Sequence, residues 1–174
     1  IRPKVDAVYN LSRRLYLRGV PVLPRLLKFY IRIVFAGDLP CEADIHPTVT
    51  FEHNALGVVI SARATIGAHS VIYHQVTLGV NGKGGADDGY PVIGEHVRIY
   101  AGAKVLGPVH IGDYAQVGAN AVVLRDVPAH AVAVGIPARV IEKKQADKAD
   151  EPDEPDEPDE PDEPGRQEEG QRDG

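Results

Sequence analysis

An aliphatic residue recurs every six positions through the middle of this 174-residue chain. The anchors form two runs: Ile60, Ile66, Ile72 and Leu78, then Ile93, Ile99, Val105, Ile111, Val117 and Val123. A period of six is neither the two of a strand nor the 3.6 of a helix, and it corresponds to one short strand plus one turn. Stacked three-sided coils of such repeats bury one continuous core. The repeat therefore predicts an all-β fold, a parallel β-helix.

The spacing of the anchors is interrupted twice. The step from Leu78 to Ile93 is two and a half repeats instead of one, which predicts an extruded loop within residues 79–92. The step from Phe51 to Ile60 is one and a half repeats, which predicts a bulge at residues 52–57. Interruptions of a regular scaffold often carry function. Because the bulge contains His53, this histidine is the leading catalytic candidate, and His74 is the next.

Residues 1–36 differ from the repeats and are predicted to form two short helices, broken around Pro21 because proline cannot continue a helix. The segment is apolar and basic, with Asp6 as its only acid. We expect its second helix to pack on the body and to expose a basic stripe of Arg25, Lys28 and Arg32. The alternative is peripheral contact with an anionic membrane.

The net charge of −6 hides an uneven distribution. Residues 145–174 carry 14 acidic and 3 basic side chains, with proline at every third position from 152 to 164, and predict a disordered acidic tail. Residues 1–144, which include the repeat domain at residues 37–144, are therefore mildly basic, and this charge suits an anionic ligand. We expect a cytoplasmic protein that binds neither nucleic acid nor metal, since the histidines and the single cysteine lack zinc-site spacing.

Four stretches resemble a known family: VTLG at 76–79, GKGG at 82–85, AGAKVLG at 101–107 and VGIPARVI at 134–141. They are similar to the catalytic domain of serine acetyltransferases, within the hexapeptide-repeat acyltransferases. The resemblance implies a left-handed β-helix, a homotrimer with sites between neighbouring prisms, and acetyl transfer from acetyl-CoA to a hydroxyl.

The same resemblance assigns candidate catalytic residues. The family's catalytic histidine falls on His53, its aspartate partner on Asp38, with Asp44 as the alternative, and an adjacent acid on Glu52. A neutral histidine suits a general base, and a carboxylate on its other ring nitrogen fixes the tautomer. A covalent route through Cys41 is the weaker alternative, because the family needs no nucleophile.

The donor site is predicted from small and basic residues. We expect the backbone N–H of Gly79 to meet the oxyanion. Small residues at Ala101 and Ala119 would let the pantetheine arm lie along the coil, and basic side chains would meet the phosphates of acetyl-CoA. The basic candidates are Lys83, Arg125, Arg139 and Lys143.

The acceptor is predicted from a position at which this sequence differs from the serine acetyltransferase family. Serine acetyltransferases end the extruded loop in an Arg-His pair that binds the amino acid's carboxylate, and Gly89 and Tyr90 stand there instead. The short basic start also resembles exopolysaccharide acetyltransferases of the colanic-acid type. These features favour a sugar or polysaccharide precursor, contacted by Tyr90 and Asp88, over L-serine as the alternative. A non-catalytic scaffold and a γ-carbonic-anhydrase-like enzyme are disfavoured, since the chain has the His53/Asp38 pair and no identifiable zinc histidines.

Overall fold

The computed structural model describes residues 4–82 and 89–141, and it begins with the two predicted helices, α1 (Val5–Leu17) and α2 (Leu23–Phe35). They are tied together and to the body by hydrogen bonds. The Ser12 hydroxyl donates to the Pro24 carbonyl (3.1 Å), and the Tyr9 hydroxyl donates to the Ala43 carbonyl (2.7 Å). No helix in the described part of the chain is long and apolar enough to cross a membrane.

Fourteen short strands follow in the described residues and build three faces of a prism. Face I contains β3 (Val59–Ile60), β6 (Thr77–Gly79), β9 (Lys104–Leu106) and β12 (Val122–Val123). Face II contains β1 (Asp44–Ile45), β4 (Thr65–Ile66), β7 (Val92–Ile93) and β10 (His110–Ile111). Face III contains β2 (Thr50–Phe51), β5 (Val71–Ile72), β8 (Arg98–Ile99), β11 (Gln116–Val117) and β13 (Val132–Val134), closed by the antiparallel β14 (Arg139–Ile141).

Strand residues alternate between an outward and an inward position, and the inward position holds the repeated anchor. Every anchor from Ile45 to Val123 is at most 5% exposed. The small residues four positions later, such as Ala103 and Ala121, are fully buried at the corners. Burying one such aliphatic side chain contributes about 1.5–3 kcal/mol. The hexapeptide period therefore produces the predicted parallel β-helix.

The pairing register confirms both interruptions of the repeat. Within face I, Ile60 pairs with Leu78, which lies three repeats, or one regular coil, further along the chain. On face III, Phe51 pairs with Ile72, because the bulge lengthens this coil by half a repeat. The extruded loop lengthens its coil by one and a half repeats, so that Ile66 on face II pairs with Ile93. Ala55 of the bulge packs in the core, and the described residues on either side of the extruded loop keep the parallel pairing of face II.

The expected basic stripe on α2 is only partly solvated. Arg25 is exposed, whereas Lys28 and Arg32 form ion pairs with the Asp38 carboxylate, at 3.6 and 3.8 Å. The outward face of α2 instead exposes large apolar side chains: Leu26, Phe29 and Ile33. The helix therefore fixes the start of the first coil through charge as well as through its buried residues Pro24, Ile31 and Phe35.

Candidate active site

The three corners of the prism carry different residues. The His53 corner, between faces III and I, contains residues 52–58, 73–76, 100–103 and 118–121. The loop corner, between faces I and II, contains residues 61–64, 79–82, 89–91, 106–109 and 124–126. The ring-ladder corner, between faces II and III, contains residues 46–49, 67–70, 94–97, 112–115 and 128–131.

The bulge at the His53 corner has an unusual backbone. Its 3-10 turn, Glu52–Ala55, holds His53, Asn54 and Ala55 consecutively in the left-handed region, with φ of 53°, 53° and 59°. This conformation costs about 1–2 kcal/mol for each residue with a Cβ atom. The bulge is held by α1, since the Phe51 N–H donates to Asp6 (3.2 Å) and the Val5 N–H to Asn54 (3.4 Å). Strain that the surroundings enforce is typical of functional sites.

Asp38 lies beside this bulge, as the assignment to a catalytic pair requires. It bridges to Val59 at the start of face I and is half-buried. Its Oδ1 atom is buried without a hydrogen-bond donor, and the carboxylate meets Lys28 and Arg32. The recorded contacts of the Asp38 carboxylate are therefore with α2, and a bond to His53 stays a prediction. Asp44 is the weaker partner, because it is 72% exposed and accepts from Arg13 at 3.0 Å.

A second acid, Asp6, accepts a hydrogen bond at the start of the bulge and was not a candidate from the sequence. Burial raises the pKa of Asp6, and the negative charge of the half-buried Glu52 raises it further. The position of Asp6 near the bulge could not be predicted from the six-residue period alone, because it depends on where α1 packs. Glu52 thus helps to set the electrostatics of the bulge.

The His53 ring meets a second histidine. His74 lies on the next coil, and the two ring centroids are 4.9 Å apart with the planes at 88°. The Nδ1 atom of His74 is buried and has no hydrogen-bond partner in the structure. The expected small residues Ala101 and Ala119 continue the same corner, where the Asn120 N–H donates to the Ala101 carbonyl (2.9 Å).

Cys41 is unsuited to covalent catalysis. Its side chain is 1% exposed, and its thiol lies 3.5 Å from a Glu42 carboxylate oxygen. Burial raises the pKa of the Cys41 thiol, and the charge of Glu42 raises it further. Because the thiolate is the nucleophile, this environment disfavours an acyl-cysteine.

The loop corner presents the remaining acceptor candidates. Gly79 ends β6, and its carbonyl accepts from the Gly107 N–H (2.8 Å). A Cβ atom at Gly89 would collide with Pro108, so that this position has no room for a side chain. The guanidinium of Arg63, which the sequence analysis did not select, lies over the Tyr90 ring at 5.5 Å. The candidates Lys83 and Asp88 fall outside the described residues.

The phosphate candidates Arg125 and Arg139 come together at the end of the β-helix. Both line a cavity of about 560 Å³ with Pro137 and Ala138. Lys143 falls outside the described residues. Within residues 4–82 and 89–141, no group of three or more His, Cys, Asp or Glu side chains is placed to hold a metal ion.

Comparisons with known proteins place these features in a family. The family described as "Bacterial transferase hexapeptide (six repeats)" matches residues 90–125. A serine acetyltransferase of Mycobacterium tuberculosis is 43% identical over 145 residues, covering 82% of this chain and 62% of that protein. The serine acetyltransferase of Escherichia coli K12 is 38% identical over 140 residues, covering 80% of this chain and 50% of that protein. The chain thus spans between half and two-thirds of the length of these relatives.

Solved structures agree with the sequence matches. Soybean serine acetyltransferase apoenzyme has a TM-score of 0.72 at 42% identity, covering 79% of this chain and 56% of that one. A structure titled "Serine Acetyltransferase- Complex with CoA" has a TM-score of 0.70 at 36% identity, covering 79% and 55%. These matches also support the left-handed sense of the β-helix.

The prediction of a sugar acceptor is wrong. Relatives at 37–43% identity across most of the chain bear the name serine acetyltransferase, which favours the alternative acceptor, L-serine. The missing Arg-His pair was given too much weight, because residue 89 is sterically restricted and Arg63 brings a cation to the same corner. The resemblance to serine acetyltransferases is confirmed by sequence and by structure. In sequence and in fold, the chain is a serine acetyltransferase-like hexapeptide-repeat protein.

Proposed function

We propose that the chain is a serine O-acetyltransferase that transfers the acetyl group of acetyl-CoA to the hydroxyl of L-serine. The observation that carries this proposal is His53, held in a strained bulge beside the half-buried Asp38 on a serine acetyltransferase-like β-helix. The reaction needs a base at an exposed site. His53 is exposed, and the small residues Ala101 and Ala119 continue its corner on the next coils.

In the proposed mechanism His53 is the general base. Its neutral ring takes the proton from the serine hydroxyl as that oxygen attacks the thioester carbonyl carbon. The tetrahedral intermediate collapses, the carbon–sulfur bond breaks, and the proton passes from His53 to the leaving sulfur. The products are O-acetyl-L-serine and CoA. Such a base contributes about 10²–10⁴-fold in rate.

Asp38 and Gly79 have supporting roles in this proposal. Asp38 stabilises the imidazolium of His53 from the side of α2, where Lys28 and Arg32 hold the carboxylate in place. The Gly79 N–H would bind the oxyanion at the edge of face I. Glu52 would orient the acceptor or hold the turn that carries His53 in place.

The donor would lie along the coils and reach the end of the helix with its phosphates. A relative was solved in complex with CoA, and the chain places Arg125 and Arg139 in one terminal cavity. Two arginines in one cavity suit phosphate oxygens. Lys83 and Lys143 remain proposed phosphate ligands.

The acceptor's carboxylate requires a cation, and Arg63 is the residue that we propose for it. The guanidinium is exposed and lies over the Tyr90 ring, which fixes its direction without using its hydrogen-bond donors. Relatives were solved with serine and with cysteine, which share the amino and carboxylate groups. Tyr90 and Asp88 complete the proposed acceptor site.

We further propose a cytoplasmic homotrimer in which the loop corner of one protomer meets the His53 corner of the next. This arrangement would join two parts of the site that lie at opposite edges of face I in one chain. The comparisons give no support to membrane contact through α2 or to a glycan acceptor.

An acceptor panel tests the proposal. The chain is incubated with acetyl-CoA and either L-serine, L-serinamide or a set of sugars, and the products are identified by mass spectrometry. We expect O-acetyl-L-serine as the main product and slow reaction with serinamide, which lacks the carboxylate. Acetylated sugar without O-acetyl-L-serine would contradict the proposal.

A further inference from the structure

The orientation of the His53 ring needs an explanation, because the residue is exposed and sits in an irregular turn. An exposed imidazole samples several rotamers, whereas a general base must point at its proton donor. The ring contact that the structure records for His53 is edge-to-face with His74, at 4.9 Å between centroids and 88° between planes. This arrangement is a favoured geometry for two aromatic rings.

His74 is better held than His53. It is half-buried, and its carbonyl accepts from the Gly102 N–H on the next coil (3.0 Å). The ammonium of Lys104 donates to the carbonyls of Gln75 and Gly102, both at 2.8 Å. The turn that carries His74 is therefore fastened to the coil beyond it, and the His74 ring provides a rigid surface for the His53 ring.

No hydrogen bond of Nδ1 explains why an aromatic ring stands at position 74. The Nδ1 atom of His74 is buried without a hydrogen-bond partner. Buried polar atoms in native proteins are nearly always paired, so an unpaired one points to a functional constraint on the position. The expected partner of His53, Asp38, is engaged by two cations of α2.

We propose that His74 is a positioning residue for His53: its ring packs against the imidazole of the base and selects the rotamer used in acetyl transfer. This inference rests on the proposed function. Since misplacement of a reacting group by about 1 Å can slow a reaction about 10²-fold, His74→Ala should lower kcat by about 10–100-fold. The KM values for L-serine and acetyl-CoA should stay within about twofold, because His74 contacts neither substrate in this proposal.

A ring replacement separates positioning from a general loss of structure. His74→Phe keeps an aromatic ring that can pack edge-to-face and removes both nitrogens. We expect its kcat to be within about fivefold of the wild type. A matched control is His69→Ala, which removes one of two stacked imidazoles, 5.0 Å from His96, at the ring-ladder corner. This control should keep the wild-type kcat.

The experiment compares the steady-state kinetics of the full chain and of the three variants. The oligomeric state of each is measured by size-exclusion chromatography. Turnover of L-serine by the wild type is measured first, so that failure of the proposed function is seen separately from failure of this inference. The inference is supported by a low kcat in His74→Ala, a kcat within about fivefold of the wild type in His74→Phe and an unchanged kcat in His69→Ala. A His74→Ala variant with more than half of the wild-type kcat, or a His74→Phe variant as slow as His74→Ala, overturns it.

Discussion

The ring-ladder corner and the His53 corner are turns of the same three-sided helix, yet they are built differently. At the ring-ladder corner four rings stack coil upon coil, with centroids 4.7–5.1 Å apart and planes within 20°. The rings belong to His69, His96, Tyr114 and His130, each the one left-handed residue of its turn. At the His53 corner the first turn is longer by half a repeat, and two rings meet at 88°.

The difference separates stability from function. Regular stacking repeats the spacing of the coils and leaves no buried polar atom of the ladder unpaired among the described residues. The His53 corner instead combines consecutive left-handed residues with a buried His74 Nδ1 atom that has no hydrogen-bond partner, and the neighbouring Asp38 carboxylate forms ion pairs with Lys28 and Arg32. Natural sequences break local rules mainly at functional sites and compensate elsewhere. Substitutions in the two regions can therefore test this contrast.

The largest effect is expected for His53→Gly. Removal of the base should lower kcat by about 10²–10⁴-fold. Because glycine tolerates the left-handed region, the same change should raise the melting temperature. Kinetics and thermal unfolding of one preparation measure both. A melting temperature below that of the wild type would show that the bulge is not strained at this residue.

Arg63→Ala should weaken the binding of L-serine at the loop corner and leave the binding of acetyl-CoA unchanged. Loss of the proposed carboxylate ligand should raise the KM for L-serine by about 10-fold or more, since a hydrogen bond to a charged group contributes about 1.5–3 kcal/mol. The KM for acetyl-CoA should not change. Arg98→Ala, which removes an exposed arginine from face III, is the control and should leave both KM values as they are. Equal changes for both substrates would contradict the assignment.

Tyr114→Ala should act on the ring-ladder corner alone. The residue stacks on His96 at 4.7 Å and on His130 at 5.1 Å, and each aromatic pair contributes about 0.5–1.5 kcal/mol beyond buried area. We expect a loss of about 1–2 kcal/mol in the free energy of unfolding, measured with urea, and an unchanged kcat. Tyr114→Phe keeps the ring and should match the wild type. A large loss of kcat in Tyr114→Ala would erase the distinction between the corners.

The smallest effect is expected for Asp6→Asn. Burial raises the pKa of Asp6, so the folded state favours the protonated form, and the stability from this group is lost as pH rises through its folded-state pKa. Asparagine stays neutral and keeps an oxygen for the Phe51 N–H. The variant should melt slightly higher than the wild type at neutral pH and equally at acid pH. A lower melting temperature at neutral pH would contradict this.

The sequence could predict the prism and its interruptions because anchor spacing depends only on local period. It could also have predicted the His53–His74 contact, since the bulge lengthens that coil by half a repeat and gives these two residues the same offset as the paired Phe51 and Ile72. That signal was present and was not used. The same counting places the rings of His69, His96 and Tyr114 above one another, whereas His130 follows Tyr114 by 16 residues, the offset of the paired Gln116 and Val132.

Other contacts could not be predicted because they join segments whose relative position no period defines. The ion pairs of Asp38 depend on how α2 docks, and the Arg63–Tyr90 contact depends on the base of the extruded loop. The acceptor prediction failed for this reason. An absent motif in the loop was interpreted as an absent cation, whereas the guanidinium of Arg63 lies over the Tyr90 ring at the base of that loop.

The proposed function requires the His53 corner to be the active site of a serine acetyltransferase. The most direct test is L-serine-dependent release of CoA thiol from acetyl-CoA by the wild type and by His53→Gln, which keeps a polar side chain but cannot serve as a base at neutral pH. We expect serine-dependent turnover by the wild type and a loss of about 10²–10⁴-fold in the variant, with an unchanged oligomeric state. Turnover by His53→Gln at the wild-type rate would contradict it.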